Sequence, residues 1–144
     1  MPFIDHNEYE TKRGFNYKFV ALVLGLLSLF QAIFLLICLG VSLHYHDDGF
    51  KALLTTIGLN FVVGLPLALY GKGQNSYDTG RREGMVTVTL SWVLTSLLGM
   101  MPYLLGGFIP NVSEAFFESM SGFSTTGASI LTDIEALPRS ILLW

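Results

Sequence analysis

The sequence predicts an all-α integral membrane protein with three transmembrane helices, a short re-entrant helix with an irregular loop, and the start of a further transmembrane helix. Three observations lead there. Hydrophobic residues make up 51% of the 144-residue chain and charged residues only 13%, with a mean hydropathy of +0.55. The charges are gathered between long uncharged runs at residues 19–41, 52–71 and 85–111. A bilayer core takes about 20 apolar helical residues to cross, and in lipid the backbone must satisfy its own hydrogen bonds, which makes helices the natural form. Finally, a fourth segment is too short and too polar to span, yet lies between two apolar runs.

The first helix follows a polar head, "MPFIDHNEYETKRGFNYK". Its apolar run is far longer than the roughly 7–15 residues of a secretory signal core, and no small-x-small cleavage site follows cleanly, so a retained span is expected. Cys38, the one cysteine, lies inside this span and reads as a small packing residue rather than half of a disulfide. The second span carries Asn60 and Pro66, the third carries Pro102 near its end, and Gln31 is in the middle of the first. Mid-membrane amides usually hydrogen-bond between helices, contributing about 1 kcal/mol, and that is the role expected for Gln31 and Asn60. Pro66 and Pro102 are expected near helix ends, where kinks are tolerated.

Six of the eight Lys and Arg residues, Lys12, Arg13, Lys18, Lys72, Arg81 and Arg82, fall in the head and in the loop "GKGQNSYDTGRREG". The positive-inside rule then places the N-terminus in the cytoplasm and the "HYHDD" loop at 44–48 outside. That loop offers His44, His46, Asp47 and Asp48, ligand types suited to Zn2+ or Cu2+. Near neighbours in sequence seldom all reach one tetrahedral ion, so a connecting turn is the reading taken. A net charge of −3 with no basic patch gives no sign of nucleic-acid binding.

After the third span, "NVSEAFFESMSG" begins on the outer side. Asn111 with Glu114 three residues on is a capping-box type of helix start, and Ser113 is an alternative cap. About ten residues of helix are expected, with Phe116, Phe117 and Met120 on one side and Glu114, Glu118 and Ser121 on the other. Gly122 is the expected stop. The polar patch of Asp133, Glu135 and Arg139 then returns the chain to a surface. A segment that starts and ends on one side is re-entrant, and irregular backbone at that depth is tolerated only where it is buried in protein or lines a watery cavity. "STTGAS" at 124–129 is suited to an extended strand whose carbonyls replace the water around a hard monovalent cation. With no Asp or Glu in that stretch, a divalent site built on carboxylates is disfavoured.

The order "RREGMVTVTLSWVLTSLLGMMPYLL", then "EAFFESMSGFSTTGASILTDIEALPRSILLW", resembles the first quarter of the Trk-type potassium uptake proteins of the Trk/Ktr/HKT superfamily. The resemblance implies a head and two extra helices over residues 1–80, then the first of four channel-like helix–pore loop–helix repeats from residue 81 to 144, cut at the start of its second helix. It implies potassium as the transported ion and no organic cofactor. Gly127 matches the key filter glycine, and the carbonyls of Thr125 and Thr126 match the filter lining, with Ser124 and Gly127 at its flanks. Where that family commonly has three threonines before the glycine, this chain has Ser124 first. The resemblance also implies a bacterial inner-membrane location, a homodimer of the full-length protein and a cytoplasmic nucleotide-binding regulatory subunit. A chain with one filter strand of four is not expected to conduct alone. The other readings are a non-conducting membrane subunit, scaffold or truncated fragment, and a membrane-embedded hydrolase. Against the hydrolase, no glycine–x–serine–x–glycine elbow occurs, and the three histidines, His6, His44 and His46, are far from Ser124 in sequence.

Overall fold

The structure is a computed structural model that describes residues 14–73, 80–135 and 137–144. The basic residues Lys12 and Arg13, His6, and much of the loop before Arg81 therefore lie outside the described residues. Among the described residues every regular element is helical: α1 Tyr17–Tyr45, α2 Phe50–Gly71, α3 Arg81–Gly99, α4 Met101–Leu105, α5 Val112–Phe123 and α6 Arg139–Leu143. Three segments are long and apolar enough to cross a membrane: α1, α2, and α3 continued through α4 to Leu105. Large apolar side chains on their outer faces, among them Leu26, Phe30, Ile33, Phe61, Val62, Met85 and Val88, are exposed. An exterior of that kind suits lipid or further protein rather than water.

Local sequence sets the helix ends. Asn16 caps α1, its side chain accepting from the Phe19 amide at 3.1 Å, and His46 closes it in the left-handed conformation at φ 52°. In α3, Glu83 reaches back to the Gly80 amide at 3.1 Å. Pro102 explains the break between α3 and α4, because its nitrogen has no proton for the i−4 carbonyl. Pro66 is different: it lies inside α2, which continues to Gly71 without interruption, so the expected position near a helix end holds only for Pro102.

The α1–α2 pair packs through glycines. A side-chain carbon built on Gly25 would be 2.4 Å from the Ala68 nitrogen and 2.8 Å from the Gly64 carbonyl oxygen, and one on Gly71 would be 2.5 Å from Leu22 Cβ. Small residues let backbones approach this closely where lipid removes the hydrophobic drive between helices. The membrane amides join helices, as the sequence implies. Ser28 Oγ donates to Asn60 at 3.1 Å (carbonyl) and 3.2 Å (Oδ1), and Gln31 Nε2 donates to the Thr95 carbonyl at 3.1 Å. A second region of packing gathers Leu35, Cys38, Leu53, Ile57, Met100, Tyr103, Ile109, Ala115 and Ile141 around the end of the bundle that holds Tyr45. It fastens α4, α5 and the start of α6 to the long pair.

Candidate functional site

The path of residues 111–144 can be followed by its partners on α1. The end of α5 reaches the middle of the bundle: a side-chain carbon on Gly99 would be 2.5 Å from Ser119 Oγ, 2.6 Å from the Phe123 ring and 3.2 Å from the amide nitrogen of Gln31, the midpoint of α1. The chain then returns to the end from which α5 set out. The Ser140 amide donates to Asp47 at 3.0 Å, and the Arg139 guanidinium lies 4.5 Å from the centre of the Tyr45 ring. The segment dips halfway and comes back, as the polarity pattern requires.

Helix α5 begins as the sequence indicates. Asn111 accepts from the Ser113 amide at 3.0 Å, so Asn111 and not Ser113 is the cap. Glu114 meets the Asn111 side chain at 3.3 Å and places its charge in the first turn, where the helix dipole favours it. Of the apolar side of the helix, Phe116 packs against the core. Ala115 and Ser119 face inward and Ser121 is buried, whereas Phe117 is 46% exposed. The reason is the close approach to α3, where Ser96 Oγ meets Met120 Sδ at 3.0 Å and Ser119 and the Phe123 ring fill the space that a side chain on Gly99 would need.

The stop also differs. Gly122 stays helical, α5 runs for 12 residues to Phe123, and the left-handed residue is Thr125 at φ 57°. The Ser124 amide bonds the Met120 carbonyl at 2.9 Å, Thr125 bonds Gly122 at 3.1 Å and Thr126 bonds Ser121 at 3.1 Å. The last two are the pair of reversed bonds that close a helix around a left-handed residue, usually glycine. A β-branched residue in that conformation is strained by about 1–2 kcal/mol, and such strain gathers at functional sites. Gly127 is left-handed as well, at φ 69°, with open space where a side chain would stand. The expected extended strand is therefore replaced at 125–127 by a chain in which φ is positive at Thr125 and Gly127 and not at Thr126.

The loop is braced at both ends. Ser124 Oγ and Thr126 Oγ1 are 2.7 Å apart on the near side. On the far side Glu118 accepts from Ser129 Oγ at 2.8 Å and from the Ile130 amide at 3.0 Å, while the Leu131 amide donates to Ser129 Oγ at 3.1 Å. Glu118 thus spans Gly127 from α5 and holds the outgoing limb. The four residues singled out, Ser124, Thr125, Thr126 and Gly127, stand together at the tip of the dip, directly after the negative end of the α5 dipole. Thr125, Thr126 and Gly127 are exposed within this chain.

Among the described residues, no group of three or more His, Cys, Asp or Glu stands together to hold a metal ion. In the 44–48 turn, Asp47 is instead engaged by Ser42, Gly49 and Ser140. Partial burial pushes its carboxyl up, but hydrogen bonds from Ser42, from the amide and hydroxyl of Ser140, and from the Gly49 amide outweigh that and hold it below the usual carboxylate range. Trp144, which the sequence reading did not single out, donates to the Gly99 carbonyl at 2.8 Å and meets Phe123 edge-on at 5.9 Å.

No family model matches the chain. It is similar to a Trk system potassium uptake protein of Halomonas elongata, 30% identical over 129 residues, covering 88% of this chain and 26% of that protein. An uncharacterized cation transporter of Methanocaldococcus jannaschii is 30% identical over 127 residues, 85% of this chain and 25% of the other. The Trk system potassium uptake protein of Escherichia coli K12 is 29% identical over 131 residues, 90% of this chain and 27% of the other. The chain spans about a quarter of the length of the curated relatives it matches. The resemblance to Trk-type potassium uptake proteins is met along most of the chain, in a multi-pass helical membrane segment.

Proposed function

We propose that this chain supplies one pore-loop segment of a potassium uptake protein, with residues 124–127 as one of four filter strands. The single observation that carries the reading is the braced loop at the tip of a helix that dips halfway and returns, with positive φ at Thr125 and Gly127. Potassium would exchange water for the carbonyls of Thr125, Thr126 and Gly127, with Ser124 at the flank. The helix dipole of α5 adds partial negative charge at that point. The relatives are named as potassium uptake proteins and a cation transporter, which supports permeation rather than covalent catalysis. The division of the chain into two extra helices over 1–80 and a first repeat over 81–144 belongs to this reading. So do a cytoplasmic N-terminus in a bacterial inner membrane, a homodimer, and a cytoplasmic nucleotide-binding regulatory subunit.

Rubidium uptake tests the reading in cells lacking their own potassium uptake systems, with the full-length gene. Saturable uptake that potassium competes is expected. A full-length protein that reaches the membrane with its regulatory subunit and takes up no rubidium would instead favour a non-conducting membrane subunit or scaffold.

A further inference from the structure

We infer that Asp47, in the turn between α1 and α2, is a positioning residue for the pore loop, through which the two N-terminal helices hold the loop's return limb in place. The inference rests on the transport reading above and assigns those helices a part in it.

One carboxylate joins three elements. Ser42 Oγ, from the last turn of α1, donates to Oδ1 at 2.5 Å, and the Gly49 amide, the cap of α2, donates to the same oxygen at 3.1 Å. Ser140 of α6 donates twice, from its hydroxyl to Oδ1 at 2.8 Å and from its amide to Oδ2 at 3.0 Å. A carboxylate with four donors is a strong anchor, because hydrogen bonds to a charged group are about twice as strong as neutral ones. The surroundings are shaped for it. Ser140 is fully buried, and Ile141 beside it is 1% exposed, within the packed region that includes Leu35, Leu53 and Ala115. Gly49 leaves the space that Ser140 uses, since a side-chain carbon there would be 2.4 Å from Ser140 Oγ. Arg139 over the Tyr45 ring adds a cation–π contact between the same two elements.

From Ser140 the restraint reaches the loop by a short route. Trp144, directly after the Arg139–Leu143 stretch of α6, packs on Phe123, the residue directly before Ser124, while bonding Gly99 behind it. Glu118 holds the loop to α5 from one side; Asp47, through α6 and Trp144, supports the base of the loop from the other. Between them, residues 132–135 are exposed, so loss of Asp47 would leave the return limb secured by Leu131, Ile141 and Trp144 and by Arg139 over Tyr45, with no hydrogen bond to the 44–48 turn among the described residues.

The test uses the full-length protein with Asp47→Ala and Asp47→Asn, at matched membrane abundance. Two quantities are read: deuterium exchange of the peptide carrying the Ser140 amide, and the ratio of rubidium to sodium uptake. Asp47→Ala is expected to speed that exchange by about tenfold or more, and to lower the rubidium preference several-fold. Asp47→Asn, which keeps one acceptor oxygen, should fall between. A merely structural role would lower abundance and leave the preference of the remaining transporters unchanged. Should Asp47→Ala not reach the membrane, Ser140→Ala, which deletes one of the two bonds to α6, carries the same comparison. Unaltered exchange, or faster exchange with an unaltered preference, overturns the inference. A wild type without potassium-competed uptake fails earlier and overturns the transport reading itself.

Discussion

Replacing Gly25 with alanine should separate the two long helices. The added carbon would start 2.4 Å from the Ala68 nitrogen, 2.8 Å from the Gly64 oxygen and 2.9 Å from Ala68 Cα, all belonging to the backbone of α2. Ordinary contact begins near 3.4 Å, so the backbones must part by about 1 Å, and a gap of that size forfeits roughly a quarter to a half of the dispersion energy across it. Overpacking of this kind costs about 1–3 kcal/mol. Alanine returns up to about 1 kcal/mol in helix propensity, leaving a net loss of about 0–2 kcal/mol when that return is full. Gly40→Ala in α1 and Gly58→Ala in α2 are the controls. Both positions have nothing within 4 Å of the added carbon, so each should gain about 0.5–1 kcal/mol. Unfolding in mixed micelles at rising SDS fraction, followed by circular dichroism, measures all three. If Gly25→Ala proves as stable as the two controls, the close crossing and the packing argument built on it are wrong.

The remaining expectations concern the loop. Thr125→Gly should relieve about 1–2 kcal/mol of left-handed strain, offset in part by glycine's greater freedom when unfolded, so the same titration should show it as stable as the wild type or more so. A clear loss would mean that Thr125 is not left-handed. Glu118→Ala removes the acceptor of Ser129 and Ile130 and should cut rubidium uptake several-fold at normal abundance; unchanged uptake would contradict its bracing role. The Asp47 anchor has a defined pH dependence. Its carboxyl is held below the ordinary range, so its contribution is complete above an unfolded value of about 4 and is lost as pH falls through the lower folded value. Arg139 on α6, and His46 and Asp48 in the turn, are the neighbouring charged or titratable groups. Protection at Ser140, taken relative to the intrinsic exchange rate at each pH, should be full at pH 5 and fall below about pH 4 in the wild type and not in Asp47→Ala.

What the sequence made legible follows from what is local. Uncharged runs specify spans because lipid tolerates little else, and Asn111 with Glu114 marks a helix start within four residues. The dip itself was legible from the polarity of Asp133, Glu135 and Arg139. Where α5 ends was not: Gly122 is the better residue for a left-handed stop, yet the close fit of Ser119 and Phe123 against Gly99 carries the helix on to Phe123, and Thr125 takes the strained position. Nor was the buried face legible, because a helix of small inward residues depends on a glycine in another helix. Asp47 reads as a turn residue in "HDDG", and its bond to Ser140, 93 positions away, has no local signal. The same holds for Trp144 and Gly99, 45 positions apart. The sequence named the residues at the tip of the loop; the braces that hold them are long-range.

The most direct test of the account is where the ion sits. Crystals of the full-length protein grown in rubidium, measured for anomalous scattering, would locate it. The account predicts a rubidium peak within direct coordination distance of the carbonyl oxygens of Thr125, Thr126 and Gly127. A rubidium peak elsewhere in the membrane region, with those carbonyls turned away from any ion, would contradict it.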